Sequence, residues 1–160
     1  QMCIRDSLPY IFKAIEAVAA GENADHIDEA LVDFGMPMGP VELADQIGLD
    51  VCLDAGIVLG IAPAAKTLLD EKCKAGTIGR KSGSGFYEWD GNQAIRARQS
   101  QNPSVMATIA KNMLAPMIEE CRQAVDEQVV DSADSADAGM IFGIGFPGFR
   151  GGPLNWAKEH

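Results

Sequence analysis

At 160 residues, with 47% hydrophobic and 22% charged side chains, the chain has the material for a real core and is not a disordered segment. Its formal net charge of −10 disfavours nucleic-acid phosphates as a partner, and no apolar run reaches the length needed to cross a bilayer. The four cysteines (Cys3, Cys52, Cys73, Cys121) form no CxxC pair and the two histidines complete no zinc pattern. The expectation is buried or half-buried thiols in a reducing compartment, the cytoplasm, and no metal. The opening "QMCIRDS" lacks the basic-then-apolar layout of a secretion signal and starts on Gln, which reads as a fragment or a processed piece.

The predicted elements are helices almost throughout. Leu8, Ile11, Phe12, Ile15 and Val18 recur at helical spacing, with Gly21 as a stop. Asp25 is placed to cap a second helix through Ile27, Ala30, Leu31 and Phe34, closed by Gly35. Pro40 suits the first turn of a third helix, which Val41, Leu43, Ala44 and Ile47 carry to Gly48. Asp50 introduces a fourth helix to about Gly60. Pro63 opens a fifth through Leu68, Leu69 and Cys73, with Lys72 and Lys74 in its last turn.

Residues 76–91, "GTIGRKSGSGFYEWDG", break this pattern and predict a loop with one brief extended piece at "FYEW". "QSQNPS" marks a boundary near residue 100. Helical spacing then resumes from Val105 through Ile109, Met113, Leu114, Met117, Ile118, Cys121 and Val125, with Pro116 expected to kink or divide the helix.

The second part can be laid on the first. Pro9 meets Pro116, Ile11 meets Ile118, and Asp25 and Asp28 meet Asp134 and Asp137. Gly35 and Pro37 meet Gly145 and Pro147; after a short insertion Pro40 meets Pro153 and Ala44 meets Ala157. The order of matches is preserved, which predicts a tandem repeat of one helical unit joined by Gly/Pro turns. The expected division is residues 1–95 for the first unit and 100–160 for a second, incomplete one.

The stretches "LPYIFKAIEAVAAG", "DHIDEALVDFGMPMGP", "ELADQIGLDV" and "GRKSGSGFYEW" together resemble the C-terminal helical domain of 3-hydroxyacyl-CoA dehydrogenases. "GMIFGIGFPGFRGGPLNWA" resembles the second copy found in multifunctional fatty-acid oxidation proteins, where an enoyl-CoA hydratase is fused to the dehydrogenase. The resemblance implies an all-α fold of two tandem repeats, of the 6-phosphogluconate-dehydrogenase-like C-terminal helical kind, with the second truncated. It implies oxidation of 3-hydroxyacyl-CoA to 3-ketoacyl-CoA in fatty-acid β-oxidation, with hydride passed to NAD. That cofactor would sit on a Rossmann domain of the same protein, which also supplies the acid–base histidine, and none is expected on this fragment. In single-function members this domain also makes the dimer, and in multifunctional members the second repeat stands in for a partner subunit; cut from its other half, the chain would expose apolar surface, so a homo-oligomer is a further expectation. The isolated chain is expected to be inactive.

The departures bear on the site. "GRKSGSGF" follows a helix and lacks the spacing of a dinucleotide loop. The family's asparagine before the first repeat falls on Ile4, which cannot donate a hydrogen bond, although Arg5 fits the adjoining arginine. No catalytic residue is therefore assigned. His26 is expected to be a solvated surface residue, Glu42 and Asp45 to be acids that simply favour a helix start, and Ser82 and Ser84 to lack a triad histidine.

Candidate substrate-binding residues are Met36, Pro37, Met38, Gly39 and Pro40, a connector that would face the cleft if the resemblance holds. Its methionines suit an acyl or thioester wall, and the backbone amides that follow would be free to meet a carbonyl or an anion. The other reading of the connector is plain packing between helices. Arg80 and Lys81, a local positive spot, would attract a CoA phosphate or else be solvated loop charges, and Arg150 has the same two readings. The alternative function is a non-catalytic helical module for assembly or acyl-CoA binding.

Overall fold

The computed structural model describes residues 2–99 and 101–160, with side chains from Ser7 onward. Its centre is a pair of proline-bearing helices, α1 (Met2–Ala19) and α6 (Pro103–Asp126), packed against each other. Between them in sequence come α2 (Ala24–Phe34), α3 (Pro40–Ile47), α4 (Leu49–Leu59), α5 (Pro63–Lys74) and a hairpin, β1 (Glu88–Asp90) and β2 (Gln93–Ile95). After α6 come α7 (Ala133–Ile144) and α8 (Pro153–Glu159). The fold is all-α apart from that hairpin.

The interior explains the periodicity. Tyr10, Ile11 and Ile15 of α1, Ile27 and Leu31 of α2, Leu114 and Met117 of α6 and Met140 of α7 are at most 2% exposed. They belong to one continuous apolar core. Phe34 joins the two ends of that core, meeting Phe146 edge-on at 5.7 Å between ring centroids and Trp156 at 5.1 Å.

Several local expectations are corrected. Pro116 does not divide its helix: α6 runs unbroken from Pro103 to Asp126, and Pro9 lies within α1 in the same way. α1 starts at Met2, so residues before Leu8 belong to the helix. The cap of α2 is Asn23, whose side chain accepts from Asp25 N at 2.9 Å and His26 N at 3.3 Å. Asp25 turns inward instead. Leu49 rather than Asp50 opens α4, with Gly48 before it at φ 113°. The loop over 76–91 holds half of a hairpin: β1 pairs antiparallel with β2, Trp89 opposite Ala94. Three-residue strands are too short to show alternation, and the Gly91-Asn92 turn pair between them was the available clue.

Candidate functional site

Both Gly/Pro connectors end in a helix whose first residue is proline and whose preceding residue is a glycine with no side chain to offer as a cap. The missing cap comes from the preceding helix. Asp28 on α2 accepts from Val41 N through Oδ1 and from Glu42 N through Oδ2, each at 2.8 Å. Asp137 on α7 accepts from Leu154 N at 2.7 Å and Asn155 N at 3.0 Å. The glycines are required by this approach. A Cβ on Gly39 would lie 2.3 Å from the Asp28 carboxyl, and one on Gly152 would lie 2.3 Å from Asp137 Cβ. A carboxylate at a helix N-terminus answers both the orphan amides and the positive end of the dipole.

This corrects one expectation about the site. The amides after Met36–Pro40 are not free to meet a substrate anion, because Asp28 occupies them. Asp28 is fully buried, and its signal in the sequence was only its alignment with Asp137.

Asp28 has a third donor. The hydroxyl of Tyr87 donates to its Oδ2 at 2.7 Å, from the segment that carries the hairpin. Burial pushes the Asp28 carboxyl up to about 7, against the pull of Tyr87, the two amides and nearby Arg96. Burial, followed by the Asp28 charge, pushes the Tyr87 phenol above its ordinary value and keeps it a donor.

The same segment is held at a second post. Asp45 on α3 is fully buried and accepts from Phe86 N at 2.8 Å, and from Tyr87 N and Trp89 Nε1, each at 2.9 Å. Burial raises its pKa against those three donors and Lys72. Asp45 is thus an internal anchor rather than an acid that simply favours a helix start. A third post lies beyond β2, where the Arg96 side chain is 5% exposed and meets Asp25 at 2.9 Å, Glu29 at 3.0 Å and Glu42 at 3.1 Å. Gln99 N also donates to Asp25. Sequence reasoning missed Arg96, which sits in "IRARQS" with no local pattern to mark it.

The glycine-rich loop serves these anchors. A Cβ on Gly79 would lie 2.2 Å from Asp45 O, and one on Gly85 would lie 2.3 Å from Asp45 Oδ1. These glycines admit Asp45, so the loop does not fit a dinucleotide, and no step through NAD is assigned to this chain. Ser82 Oγ donates within its own turn and Ser84 Oγ to Glu88, both structural contacts.

The predicted site residues do not converge. Met36 is 5% exposed and packs in the core, Gly39 and Pro40 are buried, Met38 is half-buried and Pro37 is exposed. Only Pro37 and Met38 therefore offer side-chain surface. Lys81 lies beside Gly48, at the far end of α3 from the connector, about 12 Å away by helical rise. It is paired with Asp50 at 2.7 Å, while Arg80 donates to Asn92 Oδ1 at 3.3 Å. Arg150 donates through Nε to Phe34 O at 2.8 Å and lies over the Phe34 ring at 4.0 Å, closing the end of α2. His26 is half-buried and shares a hydrogen bond with the Gln101 amide at 3.0 Å, so it is not the solvated residue expected.

The two connectors pack on each other reciprocally. A Cβ on Gly35 would lie 2.9 Å from Pro147 and from Phe149, and one on Gly145 would lie 2.9 Å from Pro37. Phe149, 79% exposed, thus stands over the first connector from the second. A cleft of about 400 Å³ opens elsewhere, between Pro9 and Phe12 of α1, Leu59 and Ile61 after α4, and Pro116 of α6.

This arrangement has known counterparts. The fold superposes on 3-hydroxybutyryl-CoA dehydrogenase from Escherichia coli, with a TM-score of 0.70 at 20% identity, over 97% of this chain and 52% of that one. It also superposes on the dehydrogenase part of multifunctional enzyme 1 from C. elegans, with a TM-score of 0.67 at 23% identity, over 91% of this chain and 36% of that one. The fold class is therefore that of the helical part of these dehydrogenases. The family model of the 3-hydroxyacyl-CoA dehydrogenase C-terminal domain matches residues 4–89, and the chain belongs to that family. Among curated relatives, the fatty acid oxidation complex subunit alpha of Vibrio cholerae is 35% identical and that of Shewanella sp. is 33% identical, each over 92% of this chain. The chain spans 23% of the length of each.

Proposed function

We propose that this chain is the substrate-cleft and assembly half of an NAD-dependent L-3-hydroxyacyl-CoA dehydrogenase of fatty-acid β-oxidation, borne in the cytoplasm on a longer polypeptide. The observation that carries the reading is the family match, together with the 33–35% identity to fatty acid oxidation complex alpha subunits along nearly the whole chain. The redox step belongs to a Rossmann domain of the same polypeptide, which binds NAD and supplies the general base. The residues of this chain close the acyl-CoA side of the cleft. The glycine-rich loop, filled by Asp45, supports that division of labour.

Residues 1–95 and 100–160 are two copies of one unit. The matched Asp28 and Asp137 caps, and the reciprocal Gly/Pro contacts, support this. In such an arrangement the second copy takes the place that a second subunit would otherwise fill. Pro37 and Met38 form the part of the connector that contacts the acyl thioester, with Met36, Gly39 and Pro40 as its support. Arg80 and Lys81 are secondary candidates for a CoA phosphate, and Lys81 would have to leave Asp50 to serve.

The test is kinetic. In the full-length polypeptide, Met38→Ser should raise KM for acetoacetyl-CoA several-fold and leave KM for NADH unchanged, since one apolar contact is worth about 1–3 kcal/mol. Unchanged KM for both substrates would remove the connector from the site. Binding of a CoA thioester by a full-length protein that never turns it over would favour the non-catalytic module instead.

A further inference from the structure

Carboxylates supply many of the polar ties between the hairpin segment, residues 77–99, and the helices, beside Lys72 on Gly85 O, Leu49 N on Ile78 O and the buried Tyr87 and Trp89. Asp45 holds Phe86, Tyr87 and Trp89; Asp28 holds the Tyr87 hydroxyl; Asp25, Glu29 and Glu42 hold Arg96. One of these carboxylates joins two roles. Asp45 holds the segment from within α3, and the Arg96 cluster pairs with acids in α2 and with Glu42 in the first turn of α3. Asp28 is itself the backbone cap of α3, and its Oδ2 receives both Glu42 N and the Tyr87 hydroxyl. Whatever moves Tyr87 pulls on the carboxylate that sets the first turn of α3, which Pro40 opens and which Met36, Pro37, Met38 and Gly39 lead into. Gly39, in contact with Asp28, makes the linkage tight, because there is no side chain between the carboxylate and the connector backbone.

We infer that Tyr87 is a positioning residue: through Asp28 it fixes the start of α3 and hence the placement of Pro37 and Met38, so that the hairpin segment sets the shape of the acyl-CoA wall. The inference rests on the function proposed above. A contrast within the molecule supports it. Asp137 grips α8 through two amides in the same way, yet its described hydrogen bonds include no aromatic hydroxyl. The third donor belongs to the copy whose connector carries the exposed proline and methionine.

Tyr87→Phe removes the hydroxyl and keeps the buried ring, so the core contacts of the segment survive. Hydrogen exchange at four amides reads the coupling directly. Val41 and Glu42 should exchange faster in the variant by roughly tenfold, the factor for one lost hydrogen bond to a charged acceptor, while Leu154 and Asn155 serve as unchanged controls. In the full-length polypeptide the same change should raise KM for acetoacetyl-CoA by a similar factor, with KM for NADH unaltered. A tyrosine that merely fills space would lower Tm without that split. By reciprocity, acetoacetyl-CoA added to the wild-type protein should shift the Val41, Glu42 and Tyr87 resonances, a measurement that needs no variant to fold.

Unchanged exchange at Val41 and Glu42 overturns the linkage. Faster exchange with an unaltered KM in an active enzyme overturns the positioning role. A wild-type full-length protein that neither binds nor reduces acetoacetyl-CoA sinks the proposed function, and this inference falls with it, while the exchange result still reports on the Tyr87–Asp28 contact.

Discussion

Asp28 and Asp137 hold the same post in two places: each reaches from one helix across a Gly/Pro connector to cap the helix that follows. In both places glycine, proline and aspartate constrain one another: the glycine admits the carboxylate, and the proline opens the helix that it caps.

Removing the carboxylates should cost unequal amounts. Asp137→Ala leaves two backbone amides without their acceptor and should destabilise the protein by about 2 kcal/mol. Asp28→Ala should cost more, because the Tyr87 hydroxyl is left unpaired as well. Urea denaturation of the two variants settles the order. Equal losses would mean that the Tyr87 contact contributes nothing to stability.

The connector glycines separate two kinds of glycine requirement. Gly39 has φ −71°, which any residue adopts, so the cost of Gly39→Ala comes only from a methyl placed 2.3 Å from Asp28. That clash should destabilise by about 1–3 kcal/mol. Gly60 has φ 85° and nothing within 4 Å of a would-be Cβ, so Gly60→Ala should show only the smaller backbone penalty of about 1 kcal/mol. Thermal melts of both variants check the ranking.

Charge should matter where it is buried. Lys81 and Asp50 are a pair with side chains 47% and 44% exposed, and Lys81→Ala should change stability by less than about 1 kcal/mol. Arg96→Ala strands three carboxylates around a guanidinium site that is 5% exposed and should cost about 3 kcal/mol or more. Denaturation midpoints at matched salt measure the contrast; comparable losses would contradict the burial of the Arg96 cluster.

The pH dependence has a definite sign. Burial raises Asp28 to about 7, and raises Asp45 and Asp137 as well, above the ordinary aspartate value of the unfolded chain. A raised acid binds its proton more tightly in the folded state. Its contribution is full below the unfolded pKa and is lost as pH climbs through the folded one. Stability should therefore decline between about pH 4 and pH 7 through Asp28, and Asp28→Asn should flatten that part of the profile. A wild-type profile that rises across that window, with no change in slope in the variant, would contradict the assignment.

Much of the architecture was legible because it rests on spacing. The apolar faces of α1, α2 and α6, the Gly35 stop and the Pro40 start follow from 3.6-residue periodicity and from what glycine and proline do to a backbone. The anchors were not legible. Asp45 reads locally as an ordinary acid near a helix start, and only a partner 41 or more positions away shows that it is internal. Arg96 has its acids 54 to 71 positions back in the chain. The proposed substrate wall was half legible: Met38 and Pro37 present surface, but the amides beside them are held by a carboxylate from another helix.

The central claim is that these residues shape an acyl-CoA cleft and leave the redox chemistry to a cofactor domain. NADH consumption with acetoacetyl-CoA, measured for the 160-residue chain and for the full-length polypeptide at equal concentration, tests it most directly. The account predicts turnover by the full-length protein and none by the chain alone. Turnover by the isolated chain, or a full-length protein inert toward acetoacetyl-CoA, would contradict it.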